Sequence, residues 1–149
     1  MADGNGDDEG MISVYKGVAQ PWECDSLGHL TTRFYTAMFD DASYHFLFEL
    51  FGWTGAGDDE GERAFVDVRH EMDFRDEVKA GELLEIRARL ERVGKKSLVA
   101  RYDMIKRRSG AVAASLKATY VLFDLVARRG LPLDDTLRNR ASRFLDGSS

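Results

Sequence analysis

Hydrophobic and polar positions change their period along this chain. From Ile12 to Trp22 runs a β-prone stretch containing Val14, Tyr15 and Val18, and Pro21 predicts that a regular ladder ends there or lies at an edge. From Thr31 to about Phe51 the spacing turns helical: Tyr35, Met38, Phe39, Ala42, Phe46 and Leu50 recur every three or four residues, and Gly52 is a helix stop. Phe34, Tyr44, Phe48 and Phe51 make that helix apolar around much of its circumference, which predicts protein on several sides of it. Four segments of two-residue period follow. In the first, Ala64, Val66, Val68, His70, Met72 and Phe74 alternate with Asp67, Arg69, Glu71, Asp73 and Arg75, predicting one buried and one wet face. The others centre on Leu84 to Glu91, Leu98 to Ile105 and Val112 to Leu122, separated by turns at Gly94-Lys95-Lys96 and Ser109-Gly110. Short turns favour antiparallel pairing. The expected fold class is α+β, a helix on one face of an antiparallel sheet.

Between these elements, Trp53 to Arg63 reads as a flexible loop punctuated by Gly55, Gly57 and Gly61 and solvated by Asp58-Asp59-Glu60. Residues 1–10 are glycine and acid with little to bury, so a disordered tail is expected, followed by one domain over 11–127 and a C-terminal extension over 128–149. The extension carries Leu131-Pro132-Leu133 and a weak helical pattern through Leu137 and Phe144.

Composition narrows the class of function. At 149 residues, 44% hydrophobic, the chain is long enough for one core and short for two. A net charge of −5 with no dense basic tract argues against general nucleic-acid binding. The single cysteine, Cys24, makes no internal disulfide and fits a reducing compartment. With no membrane-length apolar run and no secretion-signal pattern, the cytosol is the expected location.

The chemistry concentrates in Pro21 to Thr32, where a strand ends in ionisable side chains, turns through Gly28 and enters the helix at two threonines. A helix start offers unpaired N–H groups and partial positive charge, suiting a carboxylate or a developing oxyanion. Asp25 is the candidate acid, although Asp before Ser and Gly also serves simply as a turn residue. Glu23 shares its strand parity and could raise its pKa or merely be solvated. Cys24 should face the other way, which weakens a Cys24–His29 thiol–imidazole pair.

Asp25-Ser26-Leu27-Gly28-His29, then Tyr35 and Phe39-Asp40-Asp41-Ala42, resembles the signature of hotdog-fold acyl-CoA thioesterases related to 4-hydroxybenzoyl-CoA thioesterase, a likeness covering roughly residues 12–133. Many relatives carry two asparagines where this chain has Thr31-Thr32, which bears on substrate more than on fold. The resemblance implies a hotdog fold, a long central helix wrapped by a curved antiparallel β-sheet. It also implies thioester hydrolysis with Asp25 as nucleophile or general base and the Thr32 backbone N–H polarising the carbonyl. His29, by its place four residues after the carboxylate, could orient substrate, share a proton with Asp25, or simply hydrogen-bond backbone in the turn. Tyr35 and Asp40 would contact the acyl group, Asp40 from a position where the family recognises polar acyl groups.

The remaining candidates have plain alternatives. His70 interrupts an apolar strand face, as a core histidine satisfied by backbone or as part of an acyl pocket near Asp40 or Asp41; those two acids could equally be a solvent-facing helix edge. Lys95-Lys96-Ser97 could grip coenzyme A phosphates, a role the family gives basic residues in this region, or be ordinary surface lysines, and Arg69 and Arg75 are lesser candidates. His29, His45 and His70 make no metal-ligand spacing, and there is no glycine-rich nucleotide loop or G-x-S-x-G elbow, so no metal, flavin or nicotinamide cofactor is expected. The expected partner is an acyl-CoA, with no nucleic acid and no membrane. Hotdog domains normally pair, so a homodimer or a tetramer of dimers is expected. A non-catalytic acyl-CoA-binding module is the rival reading.

Overall fold

The computed structural model describes residues 10–54 and 61–145. Residues 1–9 of the expected 1–10 tail and most of the glycine-acid loop, 55–60, lie outside the described residues. The elements are β1 (Ile12–Val18), a single 3-10 turn (Pro21–Glu23), α1 (Thr32–Phe51), β2 (Arg63–Phe74), β3 (Leu83–Val93), β4 (Ser97–Lys106), β5 (Val112–Asp124), β6 (Arg129–Gly130) and α2 (Asp135–Ser142). All strand pairs are antiparallel, in the order β1-β3-β4-β5-β2, with β6 added to β5. The long helix packs on one face of this curved sheet, the hotdog arrangement. No described helix is long and apolar enough to cross a membrane.

The core follows from the two periods. Met38, Phe39, Ala42, Phe46 and Leu50 face Leu84, Ile86, Ala88 and Leu90 of β3, Ala100, Tyr102 and Met104 of β4, and Leu116, Ala118, Tyr120 and Leu122 of β5. Tyr102 lies wholly inside, with Phe39 and Phe46 edge-on at 6.4 and 5.8 Å. Aromatic pairs in that geometry add about 0.5–1.5 kcal/mol each beyond burial. Gly52 caps α1 at φ 71°, a conformation glycine enters without penalty. The C-terminal extension is packed: Leu133, Leu137 and Ala141 are buried, Phe144 meets Phe46 at 6.0 Å, and Phe144 O accepts from Leu90 N.

Three expectations need correction. The helix is not enclosed all round, because Tyr44 and Phe48 are half exposed on its outer side. Trp53 is anchored rather than loose, stacked on Phe65 and tilted against Phe51 at 5.3 Å each. The third concerns β2. It is an edge strand with a bulge: Asp67 pairs with Tyr120 and Arg69 with Thr119, so Val68 has no opposite residue. Such an offset exchanges the faces on either side of it. Phe65 and Asp67 pair with the core-facing Leu122 and Tyr120, whereas beyond the bulge His70, Met72 and Phe74 pair with Ala118, Leu116 and Ala114. Asp67, expected on the wet face, therefore turns toward the helix, and Val68 is 56% exposed.

Candidate active site

Asp25 sits in a tight loop closed by a Cys24–Leu30 bridge and by Asp25 N donating to His29 O. Gly28, at φ 80°, makes the turn. One carboxylate oxygen, Oδ1, accepts from Leu27 N at 2.9 Å and His29 N at 3.1 Å. The other, Oδ2, has no partner among the described residues. Donation from the His29 amide, with that of Leu27, outweighs desolvation and holds the Asp25 carboxyl below the usual carboxylate range. The expectation that Glu23 would raise this pKa is overturned. Glu23 turns back to cap the 3-10 turn, its Oε1 accepting from Gln20 N, and the backbone donors dominate at Asp25.

Glu23 also ties the loop to the helix. Its carbonyl accepts from Thr31 N at 3.1 Å and from Thr31 Oγ1 at 3.3 Å. The Thr31 hydroxyl is thereby used outward and does not cap α1. The N–H of Thr32 makes no hydrogen bond among the described residues, leaving the positive end of the helix open beside the Asp25 loop.

His29 places Nε2 2.7 Å from Glu77 Oε2, and its charge adds a smaller lowering contribution at Asp25. Its backbone serves the carboxylate while its ring pins the loop to the segment before β3, where Leu30 N donates to Val78 O and Ala80 N to Gly28 O. Tyr35 is buried, edge-on to Phe74 at 5.1 Å and hydrogen-bonded to the Val78 backbone, so it anchors the helix start instead of lining an open site. Asp25 itself is exposed and is not part of the cavity beneath the helix.

That cavity, of about 110 Å³, lies between α1 and β2 and is lined by Asp40, Ser43, Tyr44, Leu47, Trp53, Phe65, Asp67 and Tyr120 among others. Helical periodicity puts Thr36, Asp40, Ser43 and Leu47 on one stripe descending from the first turn, with Asp40 roughly 12 Å below Thr32. Lost hydration raises the Asp40 pKa, and Asp67 and Asp41 add to it while His70 opposes. Tyr120 Oη is 2.7 Å from Tyr102 Oη, and burial pushes both phenols up. His70 is not a core histidine: it is exposed on the edge strand with Nε2 3.3 Å from Asp67 Oδ1, next to the cavity through that aspartate. Asp40 is in the wall as expected. Asp67 was missed because unbroken alternation in the sequence carries no mark of the bulge.

Lys95 and Lys96 are exposed in the β3–β4 turn, where their carbonyls accept from Leu133 N and Leu122 N, and Ser97 opens β4. The Asp25 loop touches the opposite end of the sheet. The ten residues of β4 separate the two ends by about 30 Å. Lys95, Lys96 and Ser97 are therefore not brought to Asp25 within one chain.

The sequence profile of the thioesterase-like superfamily matches residues 19–141. The chain belongs to that superfamily. Membership supports thioester hydrolysis as the activity. Among curated protein sequences none matches. Similar solved structures include a predicted thioesterase from Bacillus stearothermophilus, 23% identical, covering 91% of this chain and 96% of that one at a TM-score of 0.77. A hypothetical protein of Staphylococcus aureus in complex with CoA is 12% identical over 91% and 84% of the two chains, with a TM-score of 0.81. A 1,4-dihydroxy-2-naphthoyl-CoA thioesterase from Synechocystis is 16% identical over 88% and 95%, with a TM-score of 0.74. At these identities the likeness is one of fold.

Proposed function

We propose that this member of the thioesterase-like superfamily hydrolyses an acyl-CoA to the free acid and coenzyme A, with Asp25 as nucleophile or general base. The observation that carries the reading is the division of labour within one carboxylate: Oδ1 is taken by two loop amides and Oδ2 is free, beside a helix whose leading N–H is also free. As nucleophile, Oδ2 attacks the carbonyl carbon, the thiolate leaves with a proton from water, and a second water hydrolyses the mixed anhydride. As base, it takes the proton of the water that attacks. Either way the carbonyl oxygen gathers negative charge against the Thr32 N–H, and one such preorganised donor is typically worth ~2.7–4 kcal/mol. The depressed pKa keeps Asp25 ionised and makes it a weak base, which favours the nucleophilic role. Water is the only other reactant, and no cofactor is called for.

The acyl group descends the Thr36–Asp40–Ser43–Leu47 stripe into the cavity. Its carboxylates suit an acyl group bearing a hydrogen-bond donor and penalise a long alkyl chain, which would strip them of water. A second copy supplies the wall that Asp25 lacks, because β2 ends the sheet with an open edge on which Val68 and Phe74 stay more than half exposed. The expected assembly is a homodimer or a tetramer of dimers, and light scattering of the eluting protein tests it. A monomer would leave the site unwalled.

Release of free thiol from a panel of short, long and aromatic acyl-CoAs tests the activity. The openness of Asp25 favours one rival, a module that binds acyl-CoA without turning it over. That reading expects saturable binding with no thiol released.

A further inference from the structure

We infer that the phosphates of the coenzyme are held by the β4–β5 turn, through Arg107 and Arg108, with Arg75 and Lys79 flanking it. This rests on the proposed reading of Asp25 as the site of thioester cleavage.

The argument is topological first. In an antiparallel meander successive turns fall at alternate ends of the sheet. The segment before β3 carries Lys79, whose backbone bridges to His29 of the Asp25 loop. The β3–β4 turn with Lys95 and Lys96 is at the far end, and the β4–β5 turn returns to the near one. Contacts place it there: Arg107 N donates to Leu83 O at the start of β3, and Arg75 N donates to Ala113 O at the start of β5. Lys79, Arg107, Arg108 and Arg75 thus lie along the same sheet end as Asp25.

Charge gives the second support. The acids in this neighbourhood are engaged, since Asp76 and Glu82 flank Lys106 Nζ at 3.1 and 3.6 Å and Glu77 holds His29 at 2.7 Å. The four cations are exposed and make no ion pair within 4 Å among the described residues; Arg107 is within electrostatic reach of Glu85, which Arg87 already holds at 3.1 Å. Three of them are arginines, whose planar fork matches phosphate oxygens in pairs. The open helix start takes up the carbonyl oxygen, and the cations sit where a polyanion attached through the pantetheine arm would lie.

The test compares two charge-reversed proteins, Arg107→Glu/Arg108→Glu and Lys95→Glu/Lys96→Glu, on an acyl-CoA and on the N-acetylcysteamine thioester of the same acid, which has no phosphate. The arginine pair should raise KM for the acyl-CoA by about tenfold, equivalent to ~1.4 kcal/mol. Its KM for the phosphate-free ester should move less than twofold, and the CoA effect should shrink in high salt. A larger rise from the lysine pair overturns the assignment, as does equal damage to both thioesters. Arg107→Gln/Arg108→Gln, which removes charge without reversing it, should give the same pattern more weakly, guarding against a folding defect. If no thioester is hydrolysed at all, the proposed activity fails, and calorimetry with coenzyme A alone decides this inference: affinity about tenfold weaker in the arginine variant upholds it, while unchanged affinity, or no binding by the parent protein, overturns it.

Discussion

Two carboxylate neighbourhoods, one in the loop that leads into α1 and one on α1 itself, are built in opposite ways. At the amino end, Asp25 is solvent-exposed yet held ionised, because backbone N–H groups donate to it and nothing buries it. Two turns further along, Asp40 faces Asp67 across a small cavity, and lost hydration with its acidic neighbours pushes its carboxyl up. The difference teaches that exposure alone does not set where a carboxylate titrates: donors aimed at Asp25 lower it, and lost hydration with acidic neighbours raises Asp40, although both side chains reach the surface.

The largest effect should come from Asp25→Asn. The amide oxygen can still accept from Leu27 and His29, so the loop survives, while the free oxygen becomes an NH2 group. The kcat for thiol release should fall about 10²–10⁴-fold, the usual range for a lost catalytic base, with the thermal midpoint little changed. Full activity in this variant ends the mechanism.

Gly28→Ala is expected to have a smaller effect on the same loop. The position is at φ 80° with open space around an added Cβ, so the cost is one of backbone conformation, about 1–2 kcal/mol. Relief of that strain moves the His29 amide off Asp25, and kcat should drop while KM changes little. Steady-state kinetics beside a melting curve would separate the two consequences.

Asp67→Asn should do least, and its sign separates the two neighbourhoods. With its pKa raised, folded Asp40 keeps a proton that the unfolded chain, at about 3.9, has released, so this group lowers stability as pH rises from the ordinary value through the raised one. Removing the Asp67 charge should raise the melting temperature slightly at pH 7, and the gain should vanish below about pH 4. Asp25 has the opposite dependence. Its contribution is present above the unfolded value and lost as pH falls through its lowered one. Melts of parent and variant at pH 4 and pH 7 check this, and a gain that persists in acid would break the contrast.

Much of the architecture was legible because Leu84 to Leu90, Leu98 to Met104 and Ala114 to Leu122 keep a two-residue period, with the register shifts of β3–β4 and β4–β5 falling at the ends of those runs, and α1 keeps a three-and-four spacing that ends at Gly52. The Asp25 loop could be read because its residues are adjacent in the chain and need only a turn to come together. The misplacements have a common origin in information that is not local. Asp67 and His70 depend on a bulge and on β2 being an edge. Tyr35 reads as a site residue by motif and is buried because Phe74 and Val78 come to it from elsewhere. Nothing at Thr31 announces that its hydroxyl bonds outward to Glu23 and leaves the helix start bare. The relocation of Lys95 and Lys96 could have been foreseen by counting turns, since every second hairpin of a meander returns to the same end.

The unpaired Val68 has a consequence for how such a protein can change. Had β2 run in one register, Ala64, Val66 and Val68 would face the helix and make an oily groove; with the offset, Phe65 and Asp67 face it and the groove is acidic. One stretch of chain thus encodes two alternative linings, and a one-codon insertion or deletion on either side of the kink selects between them. Preference for an acyl group can then shift in a single genetic step that adds or removes only one side chain.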